Sequence, residues 1–299
     1  MSSSDTCQQT AGSACPAPPS LPLTEVLERF RREAVHGVCD TGRYRCPYFT
    51  WGQGPPLVFI HGLADSSRSF LPVIALLTGQ FRCISYELPK GRGDRARVWE
   101  YRHDDLVADL FALLDHLGLQ QSYVYGSSFG STIALAAAYK QPKRLPRVVL
   151  QGGFANRPLF RGELLLARIA RYLPGIMGGL PLRERLIRRA HFAPFAGLPA
   201  EAWQYCLQCT ATPPVSATGY HALILNRVDL RPLLPEIRQP VLLLCGDCDP
   251  LIGRAHEEVL LKGLPNADRI TISGCGHTPT FTHPELLAAL IRDFLTPPG

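Results

Sequence analysis

The pentapeptide Gly126-Ser127-Ser128-Phe129-Gly130 separates a short apolar run, Ser122 to Tyr125, from a helix-forming run, Ser131 to Tyr139. This context predicts a serine on a sharp turn from a strand into a helix, the arrangement called a nucleophile elbow. The turn needs glycine two positions away on each side of the serine, because the backbone there is strained and the strand and helix approach closely. The pattern makes Ser128 the candidate nucleophile, supported by Gly126 and Gly130.

Strands and helices alternate along the rest of the chain, which predicts an α/β fold with a mostly parallel sheet and helices on both faces. The chain has 299 residues, 46% of them hydrophobic, which is enough for one large domain with a substantial core. An antiparallel hairpin, 34–40 and 44–51, is expected first because Asp40-Thr41-Gly42 is typical of a turn. Later strands are predicted at 57–61, 82–87, 122–125, 147–151, 240–245 and 269–273, and helices at 68–77, 104–117, 128–139, 254–261 and 284–294.

Composition divides the chain into regions. Residues 1–22 are rich in Ser, Pro and Thr and contain no basic residue or apolar run, so they predict a flexible tail, neither signal peptide nor membrane anchor. Residues 23–155 and 231–299 predict the two parts of the α/β core. Between them, residues 156–230 predict an inserted helical lid, with helices at 163–172 and 182–190. No apolar segment reaches about 18 residues, and we expect a cytoplasmic protein.

The basic charge of the chain is concentrated in this lid. Residues 155–195 contain eight arginines and two glutamates, a local excess equal to the formal net charge of +6 of the whole chain. One interpretation is a lid that touches anionic lipid surfaces, because apolar residues stand beside the arginines: Leu164, Leu165, Leu166, Ile169, Leu173 and Ile176. The simpler interpretation, which the sequence alone favours, is an amphipathic lid with a solvated arginine face. Nucleic-acid binding is not predicted, since no aromatic or glycine-rich pattern accompanies the charge.

A serine nucleophile requires a histidine base and a carboxylate that fixes the imidazole tautomer. Both should follow Ser128 in the chain. Among the later histidines, His277 is favoured because Gly274-Cys275-Gly276-His277 directly follows a predicted strand, where a side chain can reach across the top of the sheet. His256 falls within a predicted helix, and His283 directly precedes Pro284, where a helix is expected to begin.

Two aspartates follow the predicted strand 240–245 in Gly246-Asp247-Cys248-Asp249-Pro250. Asp249 is the candidate acid because it lies farther into the loop and is held by Pro250. Asp247 is the alternative, although its position next to the strand end is also typical of a residue that hydrogen-bonds the turn backbone.

An oxyanion formed at the acyl carbon needs two backbone N–H donors. One is expected from Phe129, which follows the serine. The other is expected from Leu63, in the loop His61-Gly62-Leu63-Ala64-Asp65 after the third strand. In this loop Gly62 allows the turn, and His61 is assigned to supporting the loop geometry.

Ten cysteines raise the question of a metal site. Cys206-x-x-Cys209 and Cys245-x-x-Cys248 resemble two halves of a zinc site, but the 35 residues between them exceed the spacing of compact zinc modules. Neither a metal, a cofactor nor a disulfide framework is predicted.

These motifs together resemble the α/β-hydrolase superfamily over residues 34–295. The matching motifs are His61-Gly62, Gly126-x-Ser128-x-Gly130, Gly246-x-x-Asp249 and Gly276-His277. The resemblance implies an eight-stranded sheet with an antiparallel second strand, a lid after the sixth strand, and a cofactor-free Ser-His-Asp mechanism. Serine at position 128 argues against the epoxide hydrolase and dehalogenase branches, which use aspartate.

The expected function is hydrolysis of a small-molecule carboxylic ester by a serine esterase. Alternatives within the same fold are a thioesterase or lipase-like enzyme and a carbon–carbon bond hydrolase, whose elbow is often Gly-x-Ser-Phe-Gly. The alternative of another class is a non-catalytic binding protein, as for maspardin-like members of the superfamily.

Overall fold

The computed structural model describes residues 21–296, and its central feature is one eight-stranded sheet. The strands follow the order β1-β2-β4-β3-β5-β6-β7-β8, with β1–β2 and β2–β4 antiparallel and every other pair parallel. The predicted mostly parallel sheet with an antiparallel hairpin is therefore confirmed. The strands are β1 (Val35–Asp40), β2 (Arg45–Trp51), β3 (Pro56–Ile60), β4 (Arg82–Tyr86), β5 (Tyr123–Ser127), β6 (Val148–Gln151), β7 (Val241–Gly246) and β8 (Ala267–Ile272).

Helices cover both faces of the sheet. They are α1 (Leu23–Glu33), α2 (Leu71–Leu77), α3 (His103–His116), α4 (Phe129–Lys140), α5 (Arg161–Ala170), α6 (Arg183–His191), α7 (Ala200–Cys209), α8 (Val215–Leu225), α9 (Arg254–Gly263), α10 (Pro279–Thr282) and α11 (Pro284–Leu295). The sequence analysis assigned no element to α1. It is an amphipathic helix that buries Val26 and Phe30, one turn apart, and leaves its charged residues outside.

Two apolar cores form because side chains along a strand alternate between the faces of the sheet. In β3, Val58 and Ile60 join the core under α3 and α4, while Leu57 and Phe59 join the core under α1, α2 and α11. All four side chains are fully buried. The central strands therefore read as continuous apolar runs, as expected for parallel strands covered on both sides.

The segment predicted to be a lid, residues 156–230, is named the lid segment. It leaves the core after β6, returns before β7, and contains helices α5 to α8. Its two ends meet. The N–H of Leu230 donates to the carbonyl of Ala155 (2.9 Å), and the Asn156 side chain donates to the carbonyl of Val228 (2.8 Å). The segment is thus inserted into the core through a narrow, hydrogen-bonded base.

Nearly all of the predicted flexible tail, residues 1–20, lies outside the described residues. In the described range 21–296, no helix combines the length and the apolar character that crossing a bilayer would require.

Candidate active site

The elbow has the strained geometry that its sequence predicts. Ser128 has φ 51° and ψ −118°, a region that residues other than glycine rarely occupy. The surroundings determine this conformation: the Ser128 N–H donates to the carbonyl of Gln151 (2.8 Å), and the Ser128 carbonyl accepts from the N–H and the hydroxyl of Ser131 (2.9 and 2.6 Å). The serine thus lies at the end of β5, where α4 begins.

The two flanking glycines are required by close packing. A β-carbon at Gly126 would lie 2.6 Å from the carbonyl oxygen of Gly130, and one at Gly130 would lie 2.8 Å from the carbonyl oxygen of His61. Both distances are shorter than non-bonded atoms tolerate. Any side chain at either position would therefore push apart the strand, the helix and the loop that meet at Ser128.

His61 orients the loop that is predicted to complete the oxyanion site. Its Nε2 accepts the N–H of Leu88 (3.1 Å), so Nδ1 carries the proton and donates to the carbonyl of Gly62 (2.9 Å). The carbonyl of Gly62 and the N–H of Leu63 belong to one planar peptide and point in opposite directions. Holding the carbonyl therefore sets the direction of the Leu63 N–H.

The loop lies against the nucleophile, since a β-carbon at Gly62 would lie 3.1 Å from the Ser128 β-carbon. Within residues 21–296, neither the Leu63 N–H nor the Phe129 N–H has a hydrogen-bond acceptor. Phe129 is the first residue of α4, where N–H groups have no partner inside the helix. The predicted oxyanion donors are thus two unoccupied N–H groups on the segments that meet at Ser128.

The carboxyl of Glu87 lies next to the His61 side chain of this loop. Its carboxylate accepts the N–H and hydroxyl of Ser67 (3.2 and 2.7 Å) and pairs with Lys90 (2.9 Å). Burial opposes the charge of Glu87, but the charge of Lys90 and the hydrogen bonds from Lys90 and Ser67 favour the carboxylate. Oε2 of this carboxyl lies 3.6 Å from Nε2 of His61.

Asp249 and His277 meet across the carboxyl ends of β7 and β8. Nδ1 of His277 lies 2.7 Å from Oδ2 of Asp249, and Oδ1 of Asp249 accepts the N–H groups of Leu251 (2.8 Å) and Ile252 (3.0 Å). Burial opposes ionisation of Asp249, but the hydrogen bond and charge of His277, with these backbone donors, lower the pKa of Asp249 below its ordinary value. Asp249 is therefore a carboxylate at neutral pH and holds the proton of His277 on Nδ1.

Gln151, at the end of β6, joins the histidine loop to the elbow. Its side-chain N–H donates to the carbonyl of His277 (3.0 Å), its side-chain oxygen accepts from Ser127 (2.6 Å), and its backbone carbonyl accepts from Ser128. The next residue, Gly152, has φ 53°, and a β-carbon there would lie 3.0 Å from the His277 ring. Sequence analysis missed both residues; the only signal was a glutamine ending an apolar strand.

The alternative acid and base residues lie elsewhere. Asp247 accepts the N–H of Cys275 (3.2 Å), so it braces the backbone of the histidine loop, as a turn aspartate does. His256 packs against Phe154 from within α9, and the Nδ1 of His283 contacts the Thr282 hydroxyl at the start of α11. Of the acid and base candidates, Asp249 and His277 are therefore the pair that the structure brings together.

A lid-segment histidine that the sequence analysis did not single out lies beside His277. The rings of His191 and His277 have centroids 6.5 Å apart, and the buried Nδ1 of His191 has no hydrogen-bond partner among the described residues. Burial and the neighbouring His277 lower the pKa of His191, while Asp249 opposes the shift. A β-carbon at Gly276 would lie 2.9 Å from Pro194, so the lid segment packs directly on the histidine loop.

The cysteines that resembled a zinc site do not form one. Cys206 and Cys209 belong to the core on one face of the sheet, whereas Cys245 belongs to the core on the other face. Cys248 is exposed in the loop of Asp249. The sheet therefore separates the two halves of the motif.

Comparison with known proteins gives consistent matches. A family model described as alpha/beta hydrolase fold matches residues 55–284. An uncharacterized hydrolase of Bacillus subtilis, YugF, is 27% identical over 289 residues, covering 91% of this chain and 99% of its own. The 2-hydroxymuconate semialdehyde hydrolase of Pseudomonas putida is 28% identical, covering 84% and 91%. The structure of a thermophilic esterase from Thermogutta terrifontis superposes with a TM-score of 0.77 at 22% identity, covering 87% and 98%.

Proposed function

The chain belongs to the alpha/beta hydrolase fold family, and from that premise we propose that it is a serine hydrolase that cleaves carboxylic esters through an acyl-enzyme intermediate. The observation that carries the proposal is the 2.7 Å contact of Asp249 with Nδ1 of His277, tied through Gln151 to the strained Ser128. A nucleophile, an oriented base and free N–H donors are the parts that acyl transfer requires.

In the proposed reaction, Nε2 of His277 takes the proton of the Ser128 hydroxyl while Oγ attacks the acyl carbon. The N–H groups of Leu63 and Phe129 donate to the oxyanion of the tetrahedral intermediate. Asp249 stabilises the imidazolium, which then protonates the departing alcohol. Water, activated by the same imidazole, attacks the acyl-enzyme and releases the acid.

Within residues 21–296, the Ser128 hydroxyl makes no hydrogen bond to His277. Catalytic hydrogen bonds are often long in the absence of substrate and tighten in the Michaelis complex. We therefore assign formation of the Ser128–His277 bond to the substrate-bound state.

An ester is favoured over a substrate cleaved at a carbon–carbon bond because the two reactions have different leaving groups. An alkoxide needs one proton, which His277 supplies, whereas a carbon leaving group needs further stabilisation before it departs. The Gly-x-Ser-Phe-Gly elbow supports the second candidate, a carbon–carbon bond hydrolase, which would use the same three residues.

The test is hydrolysis of p-nitrophenyl esters of increasing acyl length by the wild type and Ser128→Ala, with fluorophosphonate labelling located by mass spectrometry. We expect activity and labelling at Ser128, both absent from Ser128→Ala. Ester hydrolysis that survives in Ser128→Ala would contradict the proposal. Labelling at Ser128 without hydrolysis of any ester would favour carbon–carbon hydrolysis, and neither labelling nor hydrolysis would favour a binding protein.

A further inference from the structure

Exposed apolar side chains are concentrated in one part of the lid segment. Of the 16 exposed large hydrophobic residues in the described chain, nine lie between residues 160 and 186. They are Phe160, Leu165, Leu166, Ile169, Tyr172, Leu173, Ile176, Leu182 and Leu186. Phe160, Leu166 and Tyr172 are 76%, 67% and 71% exposed. Such clustering on a folded surface marks a contact site, since single exposed apolar residues are ordinarily scattered.

The packing of α5 explains why these residues face outward. Ala167 is buried, and a β-carbon at Gly219 of α8 would lie 2.9 Å from the Ala167 carbonyl and 2.5 Å from the Arg171 N. Small residues thus bring α5 and α8 into close contact along the Ala167 side. At 3.6 residues per turn, Leu165 and Ile169 then fall on the opposite side of α5, away from the protein.

Arginines border this apolar stripe. Arg161, Arg168, Arg185 and Arg189 are exposed, and none forms a salt bridge with any residue of the described chain. The two glutamates of the region pair with other arginines, Glu163 with Arg157 (2.9 Å) and Glu184 with Arg188 (3.8 Å). The surface thus presents apolar side chains and uncompensated positive charge together.

We propose that this surface binds an anionic lipid membrane, with the outer face of α5 (Arg161, Leu165, Arg168 and Ile169) and the flanking Phe160 and Tyr172 lying in the interface. Helices that lie in a membrane plane combine an apolar stripe, aromatic residues and flanking cations, because the stripe enters the acyl boundary while the cations meet lipid phosphates. The lid with a solvated arginine face, favoured from sequence alone, requires the leucines to be buried. Here Leu164 is half-buried, but Leu165, Leu166, Ile169, Leu173 and Ile176 are exposed, as are the arginines that border them.

Charge complementarity favours a lipid membrane over a second copy of this chain as the partner of this surface. A symmetric dimer through the outer face of α5 would bring two sets of arginines together with no acidic partner, and like charges across an interface oppose association. Anionic headgroups supply the missing charge without requiring a matching surface. Binding does not depend on the proposed catalysis, so Ser128→Ala should bind as the wild type does.

The experiment is vesicle flotation of the full chain. Vesicles of equimolar phosphatidylglycerol and phosphatidylcholine are compared with pure phosphatidylcholine, at low and high salt. One double variant removes apolar contact (Leu165→Ser with Ile169→Ser), and the other removes charge (Arg161→Gln with Arg168→Gln). All four positions are exposed, so the fold should be retained, which circular dichroism verifies. Matched controls are Leu286→Ser on α11 and Arg31→Gln on α1, which are exposed on other helices.

We expect the wild type to partition onto anionic vesicles at least about tenfold better than onto neutral ones, with binding weakened by salt. Each double variant should reduce partitioning about tenfold or more, and the controls should not. No anionic preference, or double variants that bind as the controls do, would overturn the proposal. The proposal would also be overturned if the protein does not bind vesicles and instead sediments as a dimer that Leu165→Ser with Ile169→Ser converts to a monomer. The partner at this surface would then be a second copy of the chain.

Discussion

Ser128 has a strained backbone conformation at the elbow. Its φ of 51° and ψ of −118° are imposed by hydrogen bonds to Gln151 and Ser131 on both sides of the elbow. A conformation of this kind costs on the order of 1–3 kcal/mol in a residue other than glycine. The rest of the fold must supply that free energy to hold the hydroxyl at the end of β5.

Replacing Ser128 by glycine should therefore stabilise the protein. Ser128→Gly relieves the strain but adds unfolded-state entropy, leaving a net gain of about 1 kcal/mol in the free energy of unfolding relative to Ser128→Ala. Alanine is the matched control because it also lacks the hydroxyl but keeps the strain. Urea unfolding of both variants measures the difference, and equal stability would mean that the elbow is not strained in solution.

Asp249 and Asp247 are two residues apart but have different environments. Asp249→Asn should lower kcat for ester hydrolysis by about 10⁴-fold, because an amide can favour the wrong tautomer of His277. Asp247→Asn is the control and should keep kcat near the wild-type value, since Asp247 contacts the backbone of Cys275 and not the imidazole. Steady-state kinetics of both variants decide the matter. The reverse ranking would make Asp247 the acid.

At the scale of elements, the ends of β5, β6, β7 and β8 and the lid segment converge on one place. The elbow, Gln151, the loop of Asp249 and the loop of His277 each lie at the carboxyl end of a parallel strand. Ligands bind at this edge in open α/β sheets. Helix α6 ends with His191, whose ring lies beside the His277 ring.

His191 should contribute to substrate binding, because its ring lies beside that of His277 and its Nδ1 has no hydrogen-bond partner among the described residues. His191→Ala should raise KM about three- to tenfold, the effect of one hydrogen bond, and leave kcat nearly unchanged. His36→Ala, exposed on the far edge strand β1, is the control. A fall in kcat with KM unchanged would instead assign His191 an interaction made only in the transition state.

Helix α8 carries a buried histidine that makes stability depend on pH. Burial lowers the pKa of His221 from 6.5 to about 3. Between these values the unfolded chain binds a proton that the folded chain does not, so stability is full above about pH 6.5 and falls as the pH drops below it. The loss from this one group is on the order of 2 kcal/mol at pH 5.

The pH dependence of thermal unfolding tests this assignment. His221→Leu removes the titrating group, so its unfolding temperature should fall less steeply between pH 6.5 and 5 than that of the wild type. The comparison uses slopes, so an overall change in stability does not affect it. Parallel slopes would mean that His221 is already solvated in the folded protein.

For the whole molecule, the lid segment is part of both cores. Trp203 and Tyr205 of α7 belong to the core on one face of the sheet, where Tyr205 contacts Phe281 edge to face. Ile224 and Leu225 of α8 belong to the core on the other face. The Tyr205 hydroxyl also donates to the Arg68 carbonyl (2.9 Å). Core and lid segment should therefore unfold together.

A protein that keeps only Trp203, made by Trp51→Phe with Trp99→Phe, tests this cooperativity. Its fluorescence reports the lid segment and its far-ultraviolet circular dichroism reports the sheet and helices. The two urea transitions should coincide, as in two-state unfolding. A fluorescence midpoint clearly below the circular dichroism midpoint would mean that the lid segment unfolds first.

The sequence by itself determined the alternation of strands and helices, the elbow with its glycines, and the candidates Asp249, His277, Leu63 and Phe129, because these depend on local patterns of apolar residues and glycine. It missed α1, and it kept Asp247 as the alternative to Asp249. Only the tertiary structure decided which aspartate meets His277, that Gln151 joins two loops, that His191 lies beside His277, and that the outer face of α5 is turned away from the core. Each of these depends on contacts between residues far apart in the chain, whose geometry is set by how the sheet and helices pack.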